Sequence, residues 1–79
     1  MNLDFILALE SGQPISVSRY LHGFADGIKD GSVWSLQGFY GRQASILIDN
    51  GLIDTAGNIT EAGYESIEAD DAINDANEV

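Results

Sequence analysis

The sequence has no cysteine, one histidine and only three basic residues against thirteen acidic ones. Without cysteine, a disulfide framework, a thiolate nucleophile and a cysteine-zinc site are excluded. No segment reaches the roughly 18 consecutive apolar residues that a membrane span requires, and Met1 to Glu10 lacks the basic start of a secretory signal. We therefore expect a soluble, cytoplasmic protein with no membrane partner.

The chain has 79 residues, which suffices for one small domain but not for a cofactor-binding enzyme of ordinary size. Ser18, His22 and Asp26 share one helical face at intervals of four residues. Such a face is open to solvent and supplies no oxyanion donors, so it does not indicate a hydrolytic triad. One imidazole and scattered carboxylates do not form a four-ligand metal shell. We expect no enzymatic activity, no cofactor and no bound metal.

The formal net charge of -10 is concentrated toward the C-terminus, because residues 51–79 hold eight acids and no base. The apolar residues of the last predicted helix lie on opposite sides, with Tyr64 on one and Ile73 on the other. One helix cannot bury both sides against the same small core. We therefore expect a folded domain over residues 1–69 and an acidic, frayed tail over residues 70–79.

Apolar spacing predicts two helices near the N-terminus. Residues 3–10 are apolar nearly all round, which suits a short buried helix, although a buried strand is an alternative interpretation. Residues 17–28 carry apolar side chains at intervals of three and four, and Gly31 ends this second helix. Gly23 and Gly27 are four residues apart, which allows a neighbouring helix to approach closely.

Ser32 is expected to cap a further helix that breaks or bends at Gly41. This helix would turn Val33, Leu36 and Tyr40 inward. The core predicted from all these apolar faces comprises Ile6, Leu7, Val17, Leu21, Phe24, Ile28, Leu36, Leu47, Ile48, Ile53 and Ile67.

The segment that follows has two interpretations. In residues 42–50, Ala44 and Leu47 share a helical face, and Gly51 stands where a C-cap glycine belongs. The same stretch also fits two strands joined at Asn50-Gly51, which is the strongest short signal for a hairpin. Local sequence leaves both alternatives open.

The second half of the chain resembles the end of a winged helix-turn-helix domain. In that family a recognition helix ends in Gly-Leu-Ile, a small β-wing turns at a glycine, and a Leu/Ile-Thr-x-x-Gly segment opens a last helix. Here these positions are held by Gly51-Leu52-Ile53, by Gly57 and by Ile59-Thr60-x-x-Gly63. The resemblance covers about residues 36–67.

The resemblance implies a mainly α fold, namely a small winged-helix-like domain with a short β-hairpin wing. Residues 42–50 would form the recognition helix, Ile53 and Ile59 would face each other across the wing, and Thr60 would cap the last helix. This sequence departs from the family pattern because its wing has no Lys or Arg and its recognition helix has a single base, Arg42.

The family's usual function is DNA binding, which requires a basic footprint on the protein. A duplex repels a chain of this charge unless Arg19, Lys29 and Arg42, with Gln43 beside Arg42, converge on one surface or are duplicated in a homodimer. Direct DNA binding is therefore the less favoured interpretation.

The acidic residues favour a different partner. Glu61, Glu65 and Glu68 lie on one side of the last predicted helix, and Asp71 and Asp75 extend their row. Such a row attracts the basic groove of a nucleic-acid-binding protein. The composition resembles that of small acidic phage proteins that mimic nucleic acid.

Two apolar residues are further candidates for partner contacts. Ile46 lies on the same side of its helix as Arg42 and Asp49. This side faces away from Ala44, Leu47 and Ile48, although Ile46 could instead pack under the wing or the N-terminal helix. Ile73 lies at the centre of an apolar strip that would order on a partner, unless the tail is dispensable.

Taken together, these features predict a winged-helix-like binding module for a basic protein or a nucleic-acid-binding protein. The alternatives are a dimeric DNA-binding transcriptional regulator and a structural or assembly protein.

Overall fold

The computed structural model describes residues 1–36 and 38–77, and the side chains of residues 1–36 and 38–71. Four α-helices and one short 3₁₀ helix form this described part of the chain. In chain order they are α1 (Leu3–Glu10), α2 (Val17–Asp30), the 3₁₀ helix (Ser32–Trp34), α3 (Gly38–Asp49) and α4 (Glu61–Asn77).

Short polar side chains begin three of the helices. Asn2 and Ser16 each accept a hydrogen bond from a backbone amide in the first turn of α1 and of α2. Thr60 Oγ1 accepts one from Gly63 N at 3.1 Å, which confirms the predicted cap of α4. Gly31 ends α2 in the left-handed conformation at φ +80°, also as predicted.

The core is built around α2. Phe24 is fully buried, and its ring centroid lies 5.6 Å from that of Phe5 in an edge-on arrangement. A Cβ atom on Gly23 would lie 2.5 Å from the Phe5 ring, and one on Gly27 would overlap the Met1 side chain. The two glycines therefore make room for side chains from the N-terminal segment. The buried apolar residues are Phe5, Ala8, Leu21, Phe24, Ala25, Ile28, Val33, Tyr40, Ala44, Leu47 and Ile53.

Two residues predicted in the core are exposed instead. Leu7 is 54% exposed because α1, though apolar all round, buries only the face that carries Phe5. Leu36 is 37% exposed because the 3₁₀ helix ends at Trp34 and α3 begins at Gly38, which leaves Leu36 in the connection. The single helix expected across this stretch is therefore wrong. Ser32 does not cap it either, because Gly31 precedes the 3₁₀ helix and no side chain caps that helix. Other predicted core residues are partly buried and pack against the core, namely Ile6, Val17, Ile48 and Ile67.

The β-hairpin wing is also wrong, since the described residues contain no strand. An isolated antiparallel bridge joins Ile53 and Ile59. Between them, Asp54 Oδ1 accepts hydrogen bonds from Ala56 N at 3.0 Å and from Asn58 N at 2.9 Å. These bonds close the turn inside the bridge, and outside it α3 ends at Asp49 and α4 begins at Glu61, so few residues are left for a ladder. The described fold is helical throughout rather than winged.

The hairpin considered around Asn50-Gly51 is excluded as well. α3 runs through Asp49, and Gly51 follows it in the left-handed conformation at φ +75°. Residues 42–49 are therefore helical, as the alternative interpretation of this segment predicts.

α4 continues past the boundary that we expected between domain and tail. Its backbone is helical from Glu61 to Asn77, so the expected tail, residues 70–79, begins within the helix rather than at its end. Asp70 contacts α2, because its Oδ2 atom accepts a hydrogen bond from Val17 N at 3.2 Å. Residues 78 and 79, and the side chains from residue 72 onward, lie outside the described part of the chain.

Candidate functional site

A surface cleft of about 430 Å³ lies between α2 and the segment that joins α3 to α4. One wall comes from the solvent-facing side of α2, and the other comes from the residues around the Asp54 turn and from the first turn of α4. The lining residues are His22, Ala25, Asp26, Lys29, Gly57, Asn58, Ile59 and Tyr64.

Gly57 positions the second wall of the cleft. A Cβ atom at this residue would lie 2.7 Å from Ala25 O and 2.7 Å from Lys29 N, so its backbone packs directly on the backbone of α2. Its φ of +89° is a left-handed value that favours glycine. Because Gly57 packs the turn against α2, the next two residues, Asn58 and Ile59, line the cleft.

The turn itself is organised by Asp54. Besides its side-chain bonds to Ala56 and Asn58, its backbone N donates to Asn58 O at 2.8 Å, and its carbonyl accepts from Gly57 N at 3.1 Å. The hydrogen bond that Asp54 accepts from the backbone N–H of Asn58 is the main cause that lowers the pKa of Asp54 below its ordinary value. The hydrogen bonds of Asp54 therefore fix the backbone conformation of this wall.

The cleft combines charges of both signs with an aromatic ring. His22, Asp26 and Lys29 are exposed on α2, and among residues 1–36 and 38–71 none of them forms an ion pair. Tyr64 lies on the opposite wall and is 50% exposed. Ser18 is not a lining residue, so the cleft does not bring together the three residue types of a triad.

The expected row of carboxylates is present on α4. Glu61, Glu65, Glu68 and Asp71 are all exposed, and we call these four residues the acidic row. Tyr64 lies three residues after Glu61 and four before Glu68, so its ring borders the same face. The side chains of Ile73 and Asp75, which we also expected to contact a partner, lie outside the described part of the chain.

The three bases are all exposed but lie on two different helices. Lys29 lines the cleft, beside Asp26 on α2, and Arg19 lies one helical turn before His22. Arg42 and Gln43 are on α3 and do not line the cleft.

α3 has one buried face and one partly exposed face. Tyr40 is buried, and its hydroxyl donates to Glu10 Oε1 at 2.9 Å. Burial, followed by this hydrogen bond, raises the pKa of Tyr40. On the other face, Phe39 is 43% exposed and Ile46 is 50% exposed, so Ile46 is not packed inside the domain.

A family model described as a domain of unknown function, DUF7417, matches residues 3–71. The chain belongs to the DUF7417 family. No curated protein and no solved structure matches it. The residues matched to the DUF7417 model include all those that line the cleft and all four members of the acidic row.

In the described part of this DUF7417 chain, no helix is both long enough and apolar enough to cross a membrane.

Sequence reasoning identified the acidic row but missed Asn58 and Tyr64 as cleft residues. For Tyr64 a signal was available, because an aromatic residue spaced three and four positions from glutamates shares their helical face. For Asn58 no local signal exists, since its position depends on the contact between Gly57 and α2.

Proposed function

We propose that this protein is a cytoplasmic binding module, not an enzyme, that engages a basic macromolecular partner through the acidic row. The partner's chemical class is a protein with a groove rich in Lys and Arg, such as a nucleic-acid-binding protein. The observation that carries this proposal is the exposure of all four carboxylates on one helix. They span about 15 Å along the axis at the helical rise, and residues 51–79 contain no base that could neutralise them.

Electrostatics gives the row two roles in such a complex. The net charge of -10 attracts a basic partner over a Debye length of about 8 Å at physiological salt, which speeds encounter. In the complex, each carboxylate can accept hydrogen bonds from a Lys or Arg side chain. The row then selects for positive charge rather than for a particular side-chain shape.

Tyr64 adds a second kind of contact to the same face. Its half-exposed ring can stack on a partner's guanidinium or ammonium group, an interaction worth about 0.5–1 kcal/mol at an exposed position. Asp26 lies across the cleft from Tyr64 and supplies a further carboxylate for such a cation. The cleft therefore places one carboxylate of α2 opposite the aromatic ring of α4.

The spacing of the acidic row does not match the spacing of phosphates in a nucleic-acid strand. It favours recognition of the row by its charge rather than by an exact match to a strand's geometry. Successive turns of α4 rise by about 5.4 Å, whereas phosphates follow one another by about 3.4 Å along a strand. A partner with flexible Lys and Arg side chains accommodates this difference.

The proposal is tested by neutralising part of the row. Glu65→Gln/Glu68→Gln removes two row charges, and Asp4→Asn/Asp49→Asn removes two exposed charges elsewhere, so both variants have the same net charge. Binding of a fluorescein-labelled peptide rich in Lys and Arg is measured by anisotropy. We expect the row variant to bind about fivefold more weakly than the control variant, because each exposed ion pair contributes about 0.5 kcal/mol.

Two results would contradict the proposal. One is equal weakening in both variants, which would mean that only net charge matters. The other is tight binding of the wild-type chain to duplex DNA at about 50 mM salt, which would favour the DNA-binding alternative.

A further inference from the structure

The side chain of Asn58 brings a hydrogen-bond acceptor to the cleft. Its Nδ2 atom donates to Asp54 Oδ2 at 3.4 Å, and Asp54 is not a lining residue of the cleft. Among residues 1–36 and 38–71, no donor bonds Asn58 Oδ1. Because Asp54 engages the nitrogen of this exposed amide, the oxygen is available to a group that enters the cleft.

Asp26 supplies acceptors on the opposite wall. Its carboxylate is exposed on α2 and forms no ion pair within the described part of the chain. An ionised carboxylate accepts hydrogen bonds at both of its oxygens. A donor group between the walls can therefore meet Asp26 on one side and Asn58 on the other.

Three further lining residues give the cleft apolar surface. The Tyr64 ring is 50% exposed, Ala25 is buried and Ile59 is partly buried. A flat cationic group can stack on the ring, and the methylene groups that carry it can pack on Ala25 and Ile59. The cleft thus combines a stacking surface with acceptors on two walls.

The balance of charge around the cleft favours a cation over an anion. Lys29 and His22 also line the cleft, and a positive charge on either one opposes a bound cation. Against them stand Asp26, the two glutamates of the acidic row that flank Tyr64, and the net charge of -10 on the whole chain.

We infer that the cleft binds one arginine side chain of the partner and distinguishes it from lysine. A guanidinium group is planar and carries five N–H donors in a fixed fork. It can therefore stack on Tyr64 while it donates within its plane to Asp26 and to Asn58 Oδ1. The ammonium group of lysine is compact, strongly hydrated and has no flat face, so it cannot make both kinds of contact at once.

Gly57 prepares the cleft for this side chain, because its backbone packs directly on α2 and fixes the separation of the two walls. A preformed site avoids the cost of ordering on binding. The acidic row attracts positive charge of either kind, whereas the cleft adds a preference for one side chain. This role of the cleft rests on the proposed function, because the arginine belongs to the partner that the row attracts.

A small probe tests the cleft separately from the row. Nα-acetyl-arginine N-methylamide and its lysine analogue each carry one positive charge. Amide NMR measures their dissociation constants from the signals of residues 57–59 and of Tyr64. We expect saturable binding of the arginine probe in the millimolar range, and at least about threefold weaker binding of the lysine probe.

Two variants test the contacts, each with a matched control outside the cleft. Tyr64→Leu removes the ring from the cleft, and Phe39→Leu removes a similarly exposed ring from α3. Asn58→Ala removes the acceptor, and Asn50→Ala removes another exposed amide. The preference for arginine should be lost in Tyr64→Leu and Asn58→Ala, and it should persist in both controls and in Tyr64→Phe. Far-UV circular dichroism verifies that each variant is folded.

Equal binding of the two probes by the wild-type chain would overturn the arginine site, as would no saturable shift below about 50 mM. A preference for arginine that survives in Tyr64→Leu would also overturn it. The row variant Glu65→Gln/Glu68→Gln should bind the basic peptide more weakly and yet keep the preference between the probes. Failure of the arginine site and failure of the acidic row therefore give different results.

Discussion

Asp70 of α4 caps the N-terminus of α2, because its Oδ2 atom accepts a hydrogen bond from the backbone amide of Val17 at 3.2 Å. A carboxylate at this position satisfies an amide that has no partner within the helix and interacts favourably with the helix dipole. Asp70 thus ties the C-terminal helix to the helix at the centre of the core. It differs from Asp71, which is exposed and belongs to the acidic row.

This contact predicts different effects for two neighbouring aspartates. Asp70→Ala should lower the free energy of unfolding by about 1 kcal/mol, the usual effect of removing an N-terminal cap. Asp71→Ala should change it by less than about 0.5 kcal/mol, as expected for an exposed side chain. Urea denaturation of both variants measures the difference, and equal effects would show that Asp70 has no capping role.

Gly57 and Gly51 provide a second matched pair, since both have positive φ values. A Cβ on Gly51 meets no atom within 4 Å, so Gly51→Ala should cost about 1 kcal/mol from the left-handed conformation alone. A Cβ on Gly57 would collide with the backbone of α2, so Gly57→Ala should cost about 3 kcal/mol or more. Circular dichroism during urea denaturation tests this order, and similar costs for the two variants would exclude the close packing of the turn on α2.

Substitutions at Leu21 and Leu7 test where the observed core differs from the predicted core. The sequence places both residues in the core, but Leu21 is buried and Leu7 is exposed. Leu21→Ala should cost about 3 kcal/mol, and Leu7→Ala should cost less than about 0.5 kcal/mol. Thermal melting of the two variants measures the difference. A large loss in Leu7→Ala would mean that α1 buries its other face.

The contrast between these leucines shows which parts of the fold local sequence determines. The apolar spacing of α2 and its end at Gly31 are local features, and the prediction is correct. The helix at residues 3–10 was predicted as well, but its apolar residues surround it on all sides. The buried face is selected by the groove at Gly23 that receives Phe5, which is a contact between distant segments.

The prediction of a β-hairpin wing is wrong partly for a similar reason. A glycine between two isoleucines fits a hairpin, yet the Asp54 side chain bonds the backbone of the turn, and Gly57 then packs on α2. Pairing stops at the single bridge because the ends of α3 and α4 lie within a few residues of it, and the contact of Gly57 with α2 joins residues far apart in the chain. The exposure of the acidic row was predictable from its helical spacing and charge. The cleft was not, because its second wall depends on Gly57.

The lowered pKa of Asp54 predicts how the stability of the fold changes at acidic pH. Its pKa is lower in the folded protein than the ordinary value near 3.9, so the folded state binds fewer protons than the unfolded state over that range. The stability that its charge provides is present above the unfolded pKa and is lost as the pH falls through the folded pKa. Asp54→Asn should therefore lower the melting temperature at pH 7 and have a diminishing effect toward pH 3. A constant difference across this range would contradict the assignment.

The most direct test of the proposed function is an amide NMR titration of the wild-type chain with a peptide rich in Lys and Arg. We predict that the largest chemical-shift changes fall on residues 61–71 of α4, with smaller changes at Asp26 and Asn58 in the cleft, and that they diminish as salt is raised. Changes centred on α3 or α1, with the amides of the acidic row unaffected, would contradict the proposal that this row is the binding surface.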